Sequence, residues 1–271
     1  MNTFEIKKYP RTPHLEGSRL QIGDEDLSQV PFSHIKGKHL VVEEKIDGAN
    51  SAISFDKDGT LLLQSRGHYL TGGYRERHYA LFKQWAGVHA EALYAVLGSR
   101  YILYGEWMYA KHAVFYDRLP HYLIEFDIFD RETGIFLDTR ARHSLLQDLP
   151  VVSVPVLAEG SFQNKEQLLS LLGPSNYISD NHLGKLRSVC RQLGLDEDAQ
   201  CAGTDASTTM EGLYIKIEQD GQVVDRLKFV RASFLQAIQN PNTNWLDRPI
   251  VPNQLVVPME ALYTLHYSGK G

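Results

Sequence analysis

Residues 39–55, HLVVEEKIDGANSAISF, combine two stretches of strand composition with a charged turn between them. Gly48 gives this turn the backbone freedom and the close approach that a strand end beside a ligand needs. Lys45 is surrounded in sequence by three carboxylates, which are Glu43, Glu44 and Asp47. Such a lysine is either a solvated cation, the commoner case, or a nucleophile whose neighbours are arranged around it.

Further strands are predicted on the C-terminal side of this stretch, where β-branched and aromatic residues are frequent. They are TLLLQSR (60–66), RYILYGEW (100–107), HYLIEFDIFD (121–130), VVSVPVL (151–157), EGLYIKIE (211–218) and QVVDRLKFV (222–230). Asp58-Gly59 and Asp220-Gly221 are typical hairpin turns.

The segments between the strands predict helices. Residues 74–97 have apolar residues at helical spacing and predict one long amphipathic helix. Residues 163–173 and 183–194 predict two helices separated by a Pro-Ser-Asn turn, and residues 232–239 predict a short helix. Strands in runs with inserted helices predict an α+β fold with a largely antiparallel sheet.

Composition narrows the class of protein. The 271 residues, 43% hydrophobic and 23% charged, can bury a substantial core. A net charge of -5 excludes a broadly basic nucleic-acid-binding surface, so any such cations must be focused in a groove. Cys190 and Cys201 form neither a disulfide framework nor a zinc-ligand spacing. With no apolar leader or membrane-spanning run, the sequence predicts a soluble cytoplasmic protein without a membrane partner.

Five motifs follow one another in a fixed order between Glu44 and Arg231: EKIDGAN, YGEW, EFDIF, EGLYIK and RLKFVR. Each is weak alone, but the ordered set resembles motifs I, III, IIIa, IV and V of the covalent nucleotidyltransferases, which include polynucleotide ligases and mRNA capping enzymes. DNA ligases and capping enzymes usually carry arginine where this chain has Asn50. Asparagine there is typical of RNA ligases similar to the second ligase of phage T4, and the chain resembles an ATP-dependent RNA ligase of that group.

This resemblance implies an α+β nucleotidyltransferase fold, the ATP-grasp-like fold of polynucleotide ligases, with largely antiparallel sheets flanking a nucleotide cleft and helices at the periphery. Residues 39–240 would be the adenylyltransferase (RNA ligase) domain. Residues 1–38, which are polar and rich in turns, would form an arm packed on it. Residues 241–271 are too short and proline-rich for an OB domain, so we expect them to wrap the core.

The implied reaction joins 3′-hydroxyl and 5′-phosphate ends of RNA, as in RNA repair. Lys45 would attack the α-phosphate of ATP, expel pyrophosphate and carry AMP, which passes to the RNA 5′-phosphate before the 3′-hydroxyl displaces it. A lysine amine has a reference pKa of about 10.4, so it must lose a proton before it attacks. A kinase or phosphatase that processes RNA ends is a candidate partner.

Fixed cations are expected beside the phosphates, because negative charge grows on their oxygens in every step. Strand alternation places Lys216 opposite the apolar side chains of its strand and gives Arg226 and Lys228 a common face. By motif position, Lys216 and Lys228 are implied to be catalytic with Lys45 and to contact the nucleotide. Arg66, in QSRG, would be a further cation at the nucleotide.

Other residues are implied to hold the adenosine. Glu44 matches a position that accepts a hydrogen bond from the adenine amino group, and Phe126 would stack on adenine or be an ordinary core aromatic. Glu106 matches a residue near the ribose and the metal. Asn50 would hydrogen-bond near the reacting phosphate or the RNA end.

Carboxylates beside a triphosphate need a divalent cation, since they would otherwise repel it. Mg²⁺ keeps several waters and is held by one or two carboxylates together with phosphate oxygens. Asp47 and Glu211 are the predicted metal residues, through metal-bound waters, with Mg²⁺ or Mn²⁺ as the cation.

Several basic residues keep two interpretations. The second basic position of motif V is filled by either Arg226 or Arg231. In the arm, the residues that would clamp an RNA 5′-phosphate or simply be solvated are Lys7, Lys8, Arg11 and His14. Cations at a helix start oppose the helix dipole, so an anion such as RNA phosphate is expected near Arg75, Arg77 and His78. A solvated helix face is expected for Arg187 and Arg191.

Two rival functions remain. A DNA ligase or RNA guanylyltransferase of the same superfamily is disfavoured by Asn50 and by the expected lack of an OB domain. A non-catalytic RNA-end-binding module would be expected to lack one of Lys45, Glu211 or Lys228, and all three are present.

Overall fold

The computed structural model describes residues 6–20, 24, 26–234 and 249–264. Twelve strands in these residues belong to one sheet: β1 His14–Leu15, β2 Gln29–Val30, β3 Leu40–Lys45, β4 Ala49–Phe55, β5 Leu61–Ser65, β6 Tyr101–Trp107, β7 Leu123–Asp130, β8 Ile135–Leu137, β9 Val152–Ser153, β10 Val156–Gly160, β11 Gly212–Gln219 and β12 Gln222–Val230.

The main path of the sheet runs β10-β3-β11-β12-β8-β7-β6-β4-β5, and neighbours along it are antiparallel. Three short pairings are parallel: β1 with β12, β1 with β2, and β9 with β7. The predicted α+β class with a largely antiparallel sheet is therefore confirmed.

The sheet folds over so that its two halves face each other. We call β10, β3, β11 and β12 the first wing, and β7, β6, β4 and β5 the second wing. Lys216 on β11 lies 3.1 Å from Asp127 on β7, although these strands are three places apart in the sheet. One face of the first wing is apolar, so strand alternation leaves polar side chains on the face towards the second wing. The buried apolar residues of that wing are Leu40, Val42, Leu213, Ile215, Ile217, Leu227 and Phe229.

Six α-helices occur in the described ranges, at the periphery of the sheet: α1 Ala80–Val88, α2 Ala90–Leu97, α3 Thr139–Leu146, α4 Lys165–Leu169, α5 His182–Gln192 and α6 Glu197–Ala202. Short 3-10 helices are formed by Phe32–His34, Tyr74–Tyr79 and Met259–Tyr263. None of the described helices is long and apolar enough to cross a membrane.

The prediction of one long helix over residues 74–97 is wrong. The segment is a 3-10 helix followed by α1 and α2, with a break at His89. Trp85 Nε1 and His89 Nε2 both donate hydrogen bonds to the carbonyl of Leu262, at 3.0 and 2.9 Å. This tertiary contact holds the break, and helical periodicity could not reveal it because Leu262 lies far along the chain.

Two further differences from the predicted elements have local causes. VVSVPVL contains two strands rather than one, because Pro155 separates β9 from β10 and the two pair with different strands. The helix α3 was not predicted. Its sequence TRARHSLL has little apolar periodicity, and Arg142 is among its buried residues.

The predicted short helix over 232–239 falls largely outside the described residues, as does much of 241–271. The described part, 249–264, lies along the body of the protein. Asn253 joins it there: its side chain accepts a hydrogen bond from Tyr116 N at 2.9 Å and donates one to Met108 O at 2.7 Å.

Candidate active site

Lys45 ends β3 beside the start of β11. Gly212 pairs with Lys45, which brings the preceding Glu211 next to the amine, and Lys45 Nζ lies 2.7 Å from Glu211 Oε1. A Cβ atom at Gly212 would come 1.8 Å from the Phe229 carbonyl oxygen. Glycine is therefore required for β12 to approach β11 at this point.

The turn after Lys45 packs against the end of β6. A Cβ atom at Gly48 would lie 2.5 Å from Met108 Sδ and 3.2 Å from Glu106 Cβ, so a larger residue would push the turn away from β6. This close approach places Glu106 beside the turn. We call Lys45, Asp47, Glu106 and Glu211 the lysine cluster.

Asp47 is held by three neighbours. Its Oδ2 accepts a hydrogen bond from Ala113 N, and its backbone N–H donates to the Tyr116 hydroxyl, each at 2.8 Å. His112 Nδ1 lies 3.8 Å from Asp47 Oδ1. Burial opposes ionisation of Asp47, but His112 and Lys45 outweigh it, so the pKa of Asp47 is lowered.

The carboxylates of the lysine cluster lie close enough for each to disfavour the ionisation of the others. Burial raises the pKa of Glu211 and of Glu106 to about 7, although Lys45 lowers both. Burial alone would lower the pKa of Lys45, but Glu211, Asp47 and Glu106 together raise it. Lys45, the nucleophile expected from the sequence, is therefore held as an ammonium ion when no ligand is bound. A metal cation or protons that neutralise these carboxylates would lower the pKa of Lys45 and favour the uncharged amine.

A cavity of about 1310 Å³ opens between the wings. Eight of the sequence-predicted site residues line it: Glu44, Lys45, Asp47, Asn50, Arg66, Glu106, Phe126 and Lys228. Glu211 joins them through its contact with Lys45. Asn50 is paired with Glu106 across β4 and β6, and Arg66 is exposed at the cavity. The structure thus brings these residues to one site.

Lys228 reaches the cavity next to the N-terminal segment. The parallel pairing of β1 with β12 places His14 opposite Lys228. Asp24, which also lines the cavity, accepts hydrogen bonds from Lys228 Nζ, from His14 Nε2 at 3.3 Å and from Arg11 Nη2 at 3.2 Å. Burial lowers the pKa of Lys228 against the effect of Asp24. Asp24 therefore binds Lys228, His14 and Arg11, the basic residues that were expected to bind phosphate.

Lys216 is not among the residues that line the cavity. Its Nζ lies 3.0 Å from Glu43 and 3.1 Å from Asp127, and its side chain is fully buried. Arg142 Nη2 donates to Glu43 at 2.5 Å, and both Lys216 and Arg142 donate to the Phe126 carbonyl. We call this set the buried ion network; its members are Glu43, Glu125, Asp127, Arg142, Lys216 and Arg226.

The buried ion network fixes the backbone at the predicted adenine-stacking residue. Phe126 projects into the cavity lining, while its carbonyl is held from behind by Lys216 and Arg142. The Tyr9 ring packs edge-on against the Phe126 ring, with centroids 5.0 Å apart. A catalytic role for Lys216 stays a prediction, and its observed contacts suit a role in positioning.

The two candidates for the second basic place of motif V, Arg226 and Arg231, make internal contacts. Arg226 lies 3.7 Å from Asp127, and Arg231 lies 2.7 Å from Asp205. Neither is in the cavity lining. Arg77 stacks on the exposed Tyr74 ring at 4.8 Å, and the side chain of Arg75 is outside the described part.

The other surface cations are also placed. Arg187 and Arg191 form exposed ion pairs, with Asp198 at 2.7 Å and Glu197 at 2.8 Å, as expected of a solvated helix face. In the N-terminal segment, Lys7 Nζ lies 4.5 Å from the centre of the Phe129 ring. Arg11 binds Asp26 at 2.6 Å as well as Asp24.

Sequence reasoning missed four contributors to the site: Asp24, His112, Arg142 and Ser175. His112 follows YGEW by five positions, and this closeness to a motif is the one sequence feature that could have indicated a role in the site. Asp24, Arg142 and Ser175 reach the site through contacts between distant parts of the chain. No local pattern marks them.

A sequence model described as RNA ligase matches residues 38–230, a range that includes all five motifs but the last residue of RLKFVR. The chain belongs to the RNA ligase family. A search of curated proteins found no match.

Solved structures of the Naegleria gruberi RNA ligase resemble the fold. A variant with ATP and Mn has a TM-score of 0.52 and 19% identity, over 84% of this chain and 57% of that one. A second variant with ATP and Mn gives 0.50 and 19%, over 83% and 56%. The protein with PPi gives 0.50 and 20%, over 85% and 57%. The chain thus spans little more than half of those proteins, and the predicted nucleotidyltransferase fold is confirmed.

Proposed function

We propose that this protein is an ATP-dependent RNA ligase that joins 3′-hydroxyl and 5′-phosphate ends through a lysyl-AMP intermediate. One observation carries the proposal. In a chain of the RNA ligase family, the motif I lysine, Lys45, faces a cleft and contacts the motif IV carboxylate, Glu211, at 2.7 Å. Within that family, we propose the group similar to the second ligase of phage T4, and Asn50, which is typical of that group, supports this proposal.

In the first step, Lys45 Nζ forms a bond to the α-phosphorus of ATP, and the bond from that phosphorus to pyrophosphate breaks. The amine must first lose a proton, and Glu211 Oε1 is the carboxylate oxygen placed 2.7 Å from it. The pKa of Glu211, about 7, lets this carboxylate hold a proton near neutrality.

The charge of the phosphates would be met by Lys228 and Arg66, which line the same cavity. Phosphate bound at Lys228 has to displace Asp24 from that cation. Phe126 would stack on adenine, Glu44 would meet its amino group, and Glu106 would lie near the ribose. These assignments follow the motif positions, and the shared cavity lining supports them.

The lysine cluster also suits a divalent cation. Its three carboxylates exceed its one lysine in charge, and Glu106 Oε2 is buried without a hydrogen-bond partner in the described residues. No group of three or more His, Cys, Asp or Glu in the described ranges forms a ready-made metal site. Mg²⁺ or Mn²⁺ would be held by phosphate oxygens and by waters, with Asp47 and Glu211 contacting the metal-bound waters. When bound, the ion would neutralise phosphate charge and favour the uncharged form of Lys45.

In the later steps, a 5′-phosphate oxygen of RNA attacks the phosphorus of lysyl-AMP and frees Lys45. A 3′-hydroxyl then attacks the activated 5′-phosphate, and AMP leaves. Ends lacking these groups would require a kinase or phosphatase partner, and the cytoplasm is the proposed compartment. We further propose residues 1–38 as an arm, 39–240 as the adenylyltransferase domain and 241–271 as a C-terminal wrap.

The first experiment incubates the protein with α-labelled ATP and Mg²⁺. Wild type should acquire label on Lys45 that is stable to alkali and labile in acid, as expected of a bond between phosphorus and an amine nitrogen. Labelling of Lys45→Ala should be at least about 1000-fold lower, because the nucleophile is gone. Lys83→Ala is the matched control, since Lys83 also pairs with a glutamate, Glu76, but lies outside the cavity lining. Wild type that takes up no label would refute the proposal, and label from GTP alone would indicate capping chemistry.

The second experiment supplies labelled wild type with nicked or single-stranded substrates carrying 3′-hydroxyl and 5′-phosphate ends. RNA ends should be sealed, with adenylylated RNA accumulating when the 3′-hydroxyl is replaced by hydrogen. Sealing of DNA ends with no sealing of RNA would contradict the proposed substrate.

A further inference from the structure

Two polar residues outside the five motifs hold the glutamate next to Lys45. Ser175 Oγ donates a hydrogen bond to Glu44 Oε1 at 2.5 Å. Asn176 donates to Glu44 Oε2 twice, from its backbone N–H at 3.4 Å and from Nδ2 at 3.3 Å. Both belong to the Pro-Ser-Asn stretch that the sequence predicted only as a turn between helices. Glu44 is 2% exposed and lines the cavity.

The surroundings of Ser175 fix the direction of its hydroxyl proton. Its Oγ accepts a hydrogen bond from Tyr177 N at 3.1 Å, and its own N–H donates to Thr208 O at 2.8 Å. A hydroxyl has one proton to donate, and here that proton points at Glu44. Oε1 is therefore engaged, while Oε2 has only the two longer contacts from Asn176 and keeps capacity to accept.

We infer that Ser175 and Asn176 are positioning residues that make Glu44 a reader of the 6-amino group of the bound base. The inference rests on the proposed use of ATP. An ionised carboxylate can only accept hydrogen bonds. Adenine presents an amino donor at position 6 and guanine presents a carbonyl acceptor there, so a fixed Glu44 carboxylate favours adenine and repels guanine.

The hydrogen bonds from Ser175 and Asn176 also act on the ionisation of Glu44. Burial raises the pKa of Glu44, and these hydrogen bonds reduce the rise without cancelling it. The same donors that set the direction of the carboxylate therefore also favour its accepting form.

The test measures binding of AMP and of its analogue without the 6-amino group, purine riboside 5′-monophosphate, by calorimetry. Neither ligand can adenylylate Lys45, so binding is read without reaction. Wild type should bind AMP about tenfold more tightly than the analogue. Ser175→Ala should reduce this preference to about twofold while leaving affinity for the analogue unchanged. Asn176→Ala, which removes a longer contact, should lower the preference about two- to threefold.

Ser153→Ala is the matched control. Ser153 Oγ donates to Glu125 Oε2 at 2.7 Å, so the substitution also takes a hydroxyl from a buried glutamate. Neither residue lines the cavity, and the preference for AMP should stay at the wild-type value. If Ser175→Ala acted only by disturbing packing, Ser153→Ala should reduce the preference for AMP too. If Ser175→Ala acts through Glu44, only Ser175→Ala should reduce it.

Wild-type preference in Ser175→Ala would overturn the inference, and so would wild-type preference in Glu44→Ala. If Ser175→Ala does not fold, Asn176→Ala decides, because that side chain is exposed. Each of these results leaves the labelling of Lys45, and with it the proposed ligase function, untouched. Failure of wild type to bind AMP at all would overturn the inference, and absence of label on Lys45 would separately refute the function.

Discussion

The lysine cluster and the buried ion network both combine acidic and basic side chains at β3 and β11, but they differ in charge balance. The network sets three carboxylates against three cations, and five of its six side chains are fully buried. The lysine cluster sets three carboxylates against Lys45, whose side chain is 18% exposed. A balanced buried set needs no ligand, whereas an unbalanced one beside a cavity needs a cation or protons from solution.

Position along the strands produces this difference. On β3, both Glu43 and Lys45 line the cavity, but Glu43 lies within the strand and pairs with the network, while Lys45 lies at the strand end. On β11, Lys216 lies within the strand, while Glu211 just precedes it. Charged side chains in the middle of a strand are covered by the opposite wing and are neutralised by residues there. Charged side chains at a strand end lie beside the cavity, where a bound substrate can neutralise them.

The largest expected difference comes from removing one lysine from each set. Lys216→Met should lower the free energy of unfolding by about 3–5 kcal/mol, because Glu43 and Asp127 would stay buried without their cation. Lys45→Met should cost about 1 kcal/mol or less, because Glu211 can take up a proton at the cavity. Urea unfolding at pH 7 measures both. Equal losses would show that the two sets do not differ in the way proposed.

A smaller effect is expected for Glu106→Gln. The pKa of Glu106 in the folded protein, about 7, lies above its ordinary value, so the folded state binds the extra proton and loses stability as pH rises towards 7. The neutral glutamine removes this cost. The variant should be more stable than wild type by about 1 kcal/mol at pH 8, and the gain should shrink towards pH 5.

Urea unfolding at the two pH values tests this prediction, with Glu132→Gln as the control. Glu132 has a side chain that is 67% exposed, and its substitution should change stability little at either pH. A Glu106→Gln variant less stable than wild type at pH 8 would mean that the carboxylate is already compensated. The same variant should also lose labelling of Lys45 if Glu106 acts at the ribose or metal.

A loss of stability of similar size, rather than a gain, is expected for Tyr116→Phe. The Tyr116 hydroxyl accepts the hydrogen bond from Asp47 N, so its loss should cost about 0.5–1.5 kcal/mol and loosen the turn after Lys45. Labelling of Lys45 should fall several-fold. Tyr122→Phe is the comparison, because Tyr122 donates to Asn253 O at 2.8 Å, away from the turn. Loss of labelling in Tyr122→Phe alone would contradict the importance of the turn.

Much of the fold could be predicted because strands and hairpin turns leave local patterns. β3, β4, β11 and β12 lie where alternation and the Asp-Gly turn indicated. The break at His89 could not be predicted, because it is held by the Leu262 carbonyl from the other end of the chain. The helix α3 escaped notice because its buried side includes an arginine whose partner, Glu43, lies 99 positions away.

The candidate site divides in the same way. Lys45, Asp47, Glu106 and Lys228 could be chosen from the sequence because each lies in a short motif, and they share one cavity. The placement of Lys216 behind the cavity wall could not, because alternation assigns a face of the strand and does not say what covers it. Asp24 at Lys228 was equally hidden, since its partner lies 204 positions away.

The sequence by itself determined the strands, the nucleophilic lysine and the surplus of carboxylates around it, because backbone period and motif chemistry are local properties. Only the tertiary structure decided which charges are balanced and which are left for a ligand. It did so by folding one wing of the sheet over the other, since pairing of buried charges depends on which distant segments meet. Glu44 and Ser175, 131 positions apart, meet for that reason.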